Sequence, residues 1–96
     1  MADLAIKKRL NRAVKSAASL LDRPEYGKVI ILDNHVFHIE AIRDKEIRKI
    51  RITLDEITDN DINLVKKFEL PEICTKEIWC KKRYQKNFVI KKISAK

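Results

Sequence analysis

The stretch from Phe37 to Leu54 constrains the fold most. Phe37, Ile39 and Ala41 alternate with His38 and Glu40, and after Asp44-Lys45 the residues Ile50, Ile52 and Leu54 alternate with Lys49, Arg51 and Thr53. A period of two is that of a strand with one covered face, and a polar dipeptide between two such runs is a tight turn. Lys28 to Leu32, closed by Asp33-Asn34, reads as another strand. The pattern predicts an antiparallel meander over Lys28–Leu32, Val36–Arg43 and Glu46–Leu54. Phe37, Ile39 and Ala41 are placed on one face, with His38 and Glu40 on the other.

Helical periodicity flanks the meander. Ile6, Leu10, Ala13, Ala17 and Leu21 recur at offsets of 4, 3, 4 and 4, which predicts a helix over residues 4–22 with Asp3 as its N-cap. Lys8, Arg12 and Lys15 share another face of it, flanked by Lys7 and Arg9, and Arg23-Pro24 and Gly27 end it. Thr58-x-x-Asp61 has the form of a capping box, so a second helix is expected over 59–68 with Ile62 and Val65 on its apolar side. Beyond Pro71, Lys76–Lys82 and Asn87–Ile93 read as two strands joined around Tyr84–Lys86. The order is αβββαββ. Its strand–helix–strand passage favours a right-handed parallel crossover, and hence an α/β (α+β mixed-sheet) fold with helices packed on a central mixed sheet. At 96 residues the chain reads as a single domain, 1–96.

The charge is unevenly spread. Of the 22 basic and 14 acidic residues, residues 1–23 hold six and two, 24–75 hold eight and eleven, and 76–96 hold eight and one. The excess lies at the two ends of the chain. A fold that brings those ends together would present one basic face to a polyanion. Lys81-Lys82-Arg83-Tyr84-Gln85-Lys86 sets four cations around one aromatic ring, a composition suited to phosphate contact plus stacking on a base or sugar. The alternative is a solvated turn whose lysines block edge-to-edge strand pairing. The residues assigned to nucleic-acid contact are Lys8, Arg9, Arg12, Lys15, Lys81, Lys82, Arg83, Tyr84 and Lys86.

Cys74 and Cys80 match neither a disulfide framework nor a zinc ribbon and are read as reduced thiols. His35 and His38 stand three apart, on opposite faces of a strand, so no metal site is assigned to them. Apolar runs of four or so residues, such as Val29–Leu32, fall far short of a membrane span of roughly 20. The expected setting is cytoplasmic, away from membranes. A Gly-rich phosphate loop, a nucleophile elbow and a Cys/His pair at catalytic spacing are all absent from the sequence.

The run Phe37-His38-Ile39-Glu40-Ala41-Ile42-Arg43-Asp44-Lys45-Glu46-Ile47-Arg48-Lys49-Ile50-Arg51-Ile52-Thr53 resembles the paired central strands of the PD-(D/E)XK nuclease superfamily, and in particular the archaeal-type Holliday junction resolvases. LDEITDNDINLVKKFELPE resembles that family's following helix and KEIWCKKRYQKNFVIKKI its final hairpin. The resemblance implies a restriction-endonuclease-like αβββαββ domain, a homodimer, nucleic acid (DNA above all) as the partner, and acidic residues holding Mg²⁺ beside a lysine. The family's positions are altered here. His38 stands for the strand Asp, Arg51 for the Glu/Gln and Thr53 for the Lys, while residues 4–21 contain no acid. The implied function is nucleic-acid binding on a nuclease-like fold with degenerate catalytic positions and no cofactor. The alternatives are an active Mg²⁺-dependent structure-specific endonuclease with a displaced site at Glu40 and Glu46, and a non-catalytic regulatory subunit that binds an acidic protein.

Overall fold

The computed structural model describes residues 2–22, 27–32 and 36–93, with the side chains of Ala2 and Asp3 left aside. The predicted stops at Arg23-Pro24 and Asp33-Asn34, and His35, lie outside the described residues. In chain order the elements are α1 (Ala2–Leu21), β1 (Lys28–Ile31), β2 (Ile39–Arg43), β3 (Glu46–Leu54), α2 (Asp59–Lys67), β4 (Cys74–Lys81) and β5 (Val89–Ile93). The strands form one sheet in the order β1-β2-β3-β4-β5, antiparallel except for the parallel pair β3–β4. This is a mixed α+β domain with two helices on a five-stranded mixed sheet.

The β2–β3 turn is as short as the sequence indicates. Arg43 lies opposite Glu46, and Asp44 takes φ 35°, a conformation that Asn and Asp tolerate better than most residues. Thr58 caps α2 with both halves of the capping box: its hydroxyl accepts from the Asp61 N–H, and the Asp61 carboxylate accepts from the Thr58 N–H. At the other end, the last turn of α2 is met by buried Lys76 of β4, whose Nζ donates to the Lys66 carbonyl at 3.3 Å.

Each face of the sheet carries its own core. On one side Ala13, Val14, Ala17 and Leu21 of α1 pack on Ile39, Ala41, Ile50, Ile52 and Trp79. On the other, Val65 of α2 packs with Phe37, Ile78 and Ile93. Three expectations need correction. Asp3 falls inside α1 rather than capping it. Ile6, on the predicted apolar face, is 54% exposed, because the packed part of the helix begins at Leu10. Phe37 does not share a face with Ile39 and Ala41. The strand starts only at Ile39, and Phe37, still outside the ladder, turns to the α2 side and meets Phe68 edge-on at 5.2 Å.

Candidate nucleic-acid interface

Parallel pairing of β3 and β4 puts the C-terminal ends of both strands at one end of the sheet, where the Asp55 N–H donates to the Lys81 carbonyl at 2.9 Å. The middle of α1 lies over that end. Together they enclose an open cleft of about 380 Å³. Ala13, Ser16 and Leu54 contribute small and apolar surface, while Arg9 and Arg12 from α1 face Lys81, Lys82, Arg83 and Tyr84 across it. Residues some seventy positions apart in sequence thus line one basic cleft. Tyr84 is fully exposed with φ 62°, a left-handed conformation that costs a tyrosine of the order of 1 kcal/mol or more. An aromatic ring held in water at such a position has a free face for stacking.

The predicted contact residues divide. Arg9, Arg12, Lys81, Lys82, Arg83 and Tyr84 meet in the cleft. Lys15 lines a separate depression beside β1 with Ser19, Asp22 and Lys28. Lys8 and Lys86 are exposed and line neither. Sequence reading missed Asp55, which takes φ 68° at the end of β3 and pairs with Arg9 at 3.0 Å. An acid in a turn just past an amphipathic strand gives no hint of its partner 46 residues away.

His38, Arg51 and Thr53 lie on a different part of the molecule, on the α2 side of the sheet. His38 Nδ1 accepts from the Ile52 N–H at 2.9 Å, so its proton sits on Nε2 and the ring is neutral. Burial, and then the charge of Arg51, push its pKa down, with Asp61 opposing. Arg51 donates from Nε to Asp61 at 2.9 Å and from Nη1 to the Val36 carbonyl at 3.0 Å. Burial works against ionisation of Asp61, but hydrogen bonds from Thr58 and Arg51 outweigh it and hold the carboxyl below its usual range. Thr53 Oγ1 is buried with no hydrogen-bond partner.

The displaced-site pair is not brought together. Glu40 lies on the α2 side and pairs with Lys49 at 2.7 Å, whereas strand alternation puts Glu46 on the α1 side at the hairpin end. A hard divalent cation needs several convergent carboxylate or carbonyl oxygens. Here Asp61 and Glu40 are each engaged by a cationic side chain, so this donor set does not fit Mg²⁺. Among the described residues no group of three or more His, Cys, Asp and Glu is placed to hold a metal. Cys74 and Cys80 are both free thiols.

Within β4 a second unpredicted feature stands out. Glu77, 2% exposed, takes two hydrogen bonds of 2.6 Å from Arg48 and one of 3.1 Å from the Trp79 indole. Burial raises its pKa, but these bonds prevail and hold it below the ordinary carboxylate range. The Arg48 guanidinium also lies 5.8 Å from the centre of the Trp79 ring. This cluster is a structural tie between β3 and β4. No helix among the described residues is long and apolar enough to cross a membrane. No protein-family profile, curated protein or solved structure matches the chain.

Proposed function

We propose that this protein binds nucleic acid, DNA above all, through the cleft between α1 and the β4–β5 turn, without cleaving it. The observation that carries this reading is the convergence of Arg9, Arg12, Lys81, Lys82 and Arg83 around one cleft beside the fully exposed ring of Tyr84. Cations positioned in this way neutralise phosphates and release condensed counterions, while an exposed ring accepts an unpaired base. The order αβββαββ with a central parallel β3–β4 pair supports a restriction-endonuclease-like reading of the domain. The pairing of Arg51 with Asp61 and of Lys49 with Glu40 supports loss of catalysis. A homodimer belongs to the same proposal, supported by exposed Ile31, Val89 and Ile90 on the two edge strands.

The test is fluorescence anisotropy on duplex, single-stranded and four-way-junction DNA across a salt series, with Mg²⁺ or Mn²⁺ incubations alongside. Binding should weaken steeply with salt. Replacing Lys81, Lys82 and Arg83 with Ala should flatten the logarithmic salt slope on duplex by about two to three, since each neutralised phosphate contributes about 0.9. Unchanged affinity in that variant would remove the turn from the interface. Metal-dependent cleavage by the native protein would restore the endonuclease reading, and binding to an acidic protein alone would favour a regulatory subunit.

A further inference from the structure

Arg9, one of the cations lining the basic cleft, is already engaged by an anion that the chain itself supplies. Asp55 meets the Arg9 guanidinium through two hydrogen bonds, Nη1 to Oδ2 at 3.2 Å and Nη2 to Oδ1 at 3.0 Å. The Arg9 hydrogen bonds hold the Asp55 carboxyl below its usual range against the cost of desolvation, and the charges of Arg9 and Arg83 and the Arg83 backbone add to this. A guanidinium fork closed on two oxygens, with a second cation lining the same cleft, is an arrangement suited to a phosphate.

We propose that the Arg9 fork and Arg83 form a phosphate subsite, that the Asp55 carboxylate occupies it in the free protein, and that an incoming phosphate group displaces Asp55. The inference rests on the cleft being the nucleic-acid interface, and it names the anion-recognition point within it. Both partners of the pair are solvent-exposed, with side-chain exposures of 30% and 50%. Displacement therefore exchanges one charge-assisted fork for another, while the released carboxylate is rehydrated where it stands. The backbone need not move. Asp55 keeps its N–H on the Lys81 carbonyl in this displacement, and only its side chain turns away.

Asp55→Asn removes the charge and keeps the residue type that, after glycine, best tolerates a left-handed φ. Removing the resident anion should tighten binding to duplex by roughly threefold to tenfold at low salt and leave the logarithmic salt slope nearly unchanged, because the native protein makes the same phosphate contact once Asp55 is displaced. In an Arg9→Ala background Asp55→Asn should give no such gain. A second measurement follows the Arg9 Nε–H and the Arg83 amide by NMR during titration with inorganic phosphate, which separates free phosphate from phosphodiester. The Asp55→Asn protein should saturate at lower phosphate than the native one.

Nucleic-acid binding that is unchanged or weaker in Asp55→Asn would overturn the subsite and leave the proposed function standing. If neither protein binds nucleic acid, the proposed function fails, and the phosphate titration decides the subsite by itself: a saturable shift at Arg9 in Asp55→Asn upholds it, and no shift removes it.

Discussion

The Nδ1 of His38 accepts the backbone N–H of Ile52 at 2.9 Å, a donor that would otherwise look for a strand carbonyl. The backbone of the same residue reaches two ways: its N–H donates to the Ile50 carbonyl and its carbonyl accepts from the Leu32 N–H. One residue thus joins the chain just past β1, the start of β2 and the middle of β3. At this position the side chain closes the sheet.

Replacing His38 by Ala should therefore cost about 1–3 kcal/mol, since it leaves the Ile52 N–H without a partner in a half-buried place. His38→Asn, whose Oδ1 can reach the same donor, should cost clearly less. Urea unfolding followed by the fluorescence of buried Trp79 reads both. Equal losses would mean that ring packing, rather than the acceptor, is what matters.

A pH dependence follows from the same contact. The folded protein holds His38 neutral, with its pKa pushed down by burial and Arg51, so below about pH 6.5 the unfolded chain binds the extra proton more readily. The His38 contribution is present above that pH and is lost as pH falls below it. Asp61 and Glu77, whose pKa values are lowered, give up their contributions further down, in the carboxylate range. Urea midpoints for the native protein should drop between about pH 6.5 and 5, while His38→Asn stays flatter there. Parallel curves would assign the loss to another group, since His35 is common to both proteins.

Arg48→Met strands the Glu77 carboxylate in the sheet core and should destabilise the fold by about 3–5 kcal/mol. Arg48→Met combined with Glu77→Leu should recover much of that loss, because the uncompensated charge is gone. A double variant as unstable as the single one would show that the ion pair itself, beyond mutual neutralisation, holds β3 to β4.

Tyr84 offers a separation of stability from binding. Tyr84→Asn should relieve left-handed strain and raise stability by about 1 kcal/mol. The same change should weaken single-strand binding by about 1–3 kcal/mol and leave duplex binding nearly unaltered. Thermal unfolding and anisotropy on both substrates check the two signs together, and loss of stability would give the ring a structural part instead.

Local signals in the sequence carried the elements that local physics determines. The strand Glu46–Leu54 and the capping box of α2 were legible because alternation, a two-residue turn and an S/T-x-x-D/E spacing each act over a few residues. Phe37 misled because its alternation with Ile39 begins in the sequence before the chain has entered β2. The convergence of the two basic ends was anticipated only as a condition on the fold. Lys15 and Arg12 look alike on a helix face, and only the tertiary placement of α1 sends one to the cleft and the other away from it. Arg48 with Glu77, Arg51 with Asp61 and Arg9 with Asp55 are long-range or diagonal pairings between residues whose one-letter context is that of ordinary surface charge.

Because the cleft draws Arg9 and Arg12 from the first helix, Leu54 from the end of the third strand and Lys81–Tyr84 from beyond the fourth, no contiguous stretch of the chain contains it. A collapsed or half-assembled chain keeps the full net charge of +8 and can still cling to a polyanion, but it cannot offer fork, cations and ring at fixed spacing. On the proposed function, selective engagement thereby becomes a certificate of completed assembly, withheld until the fourth strand has docked alongside the third.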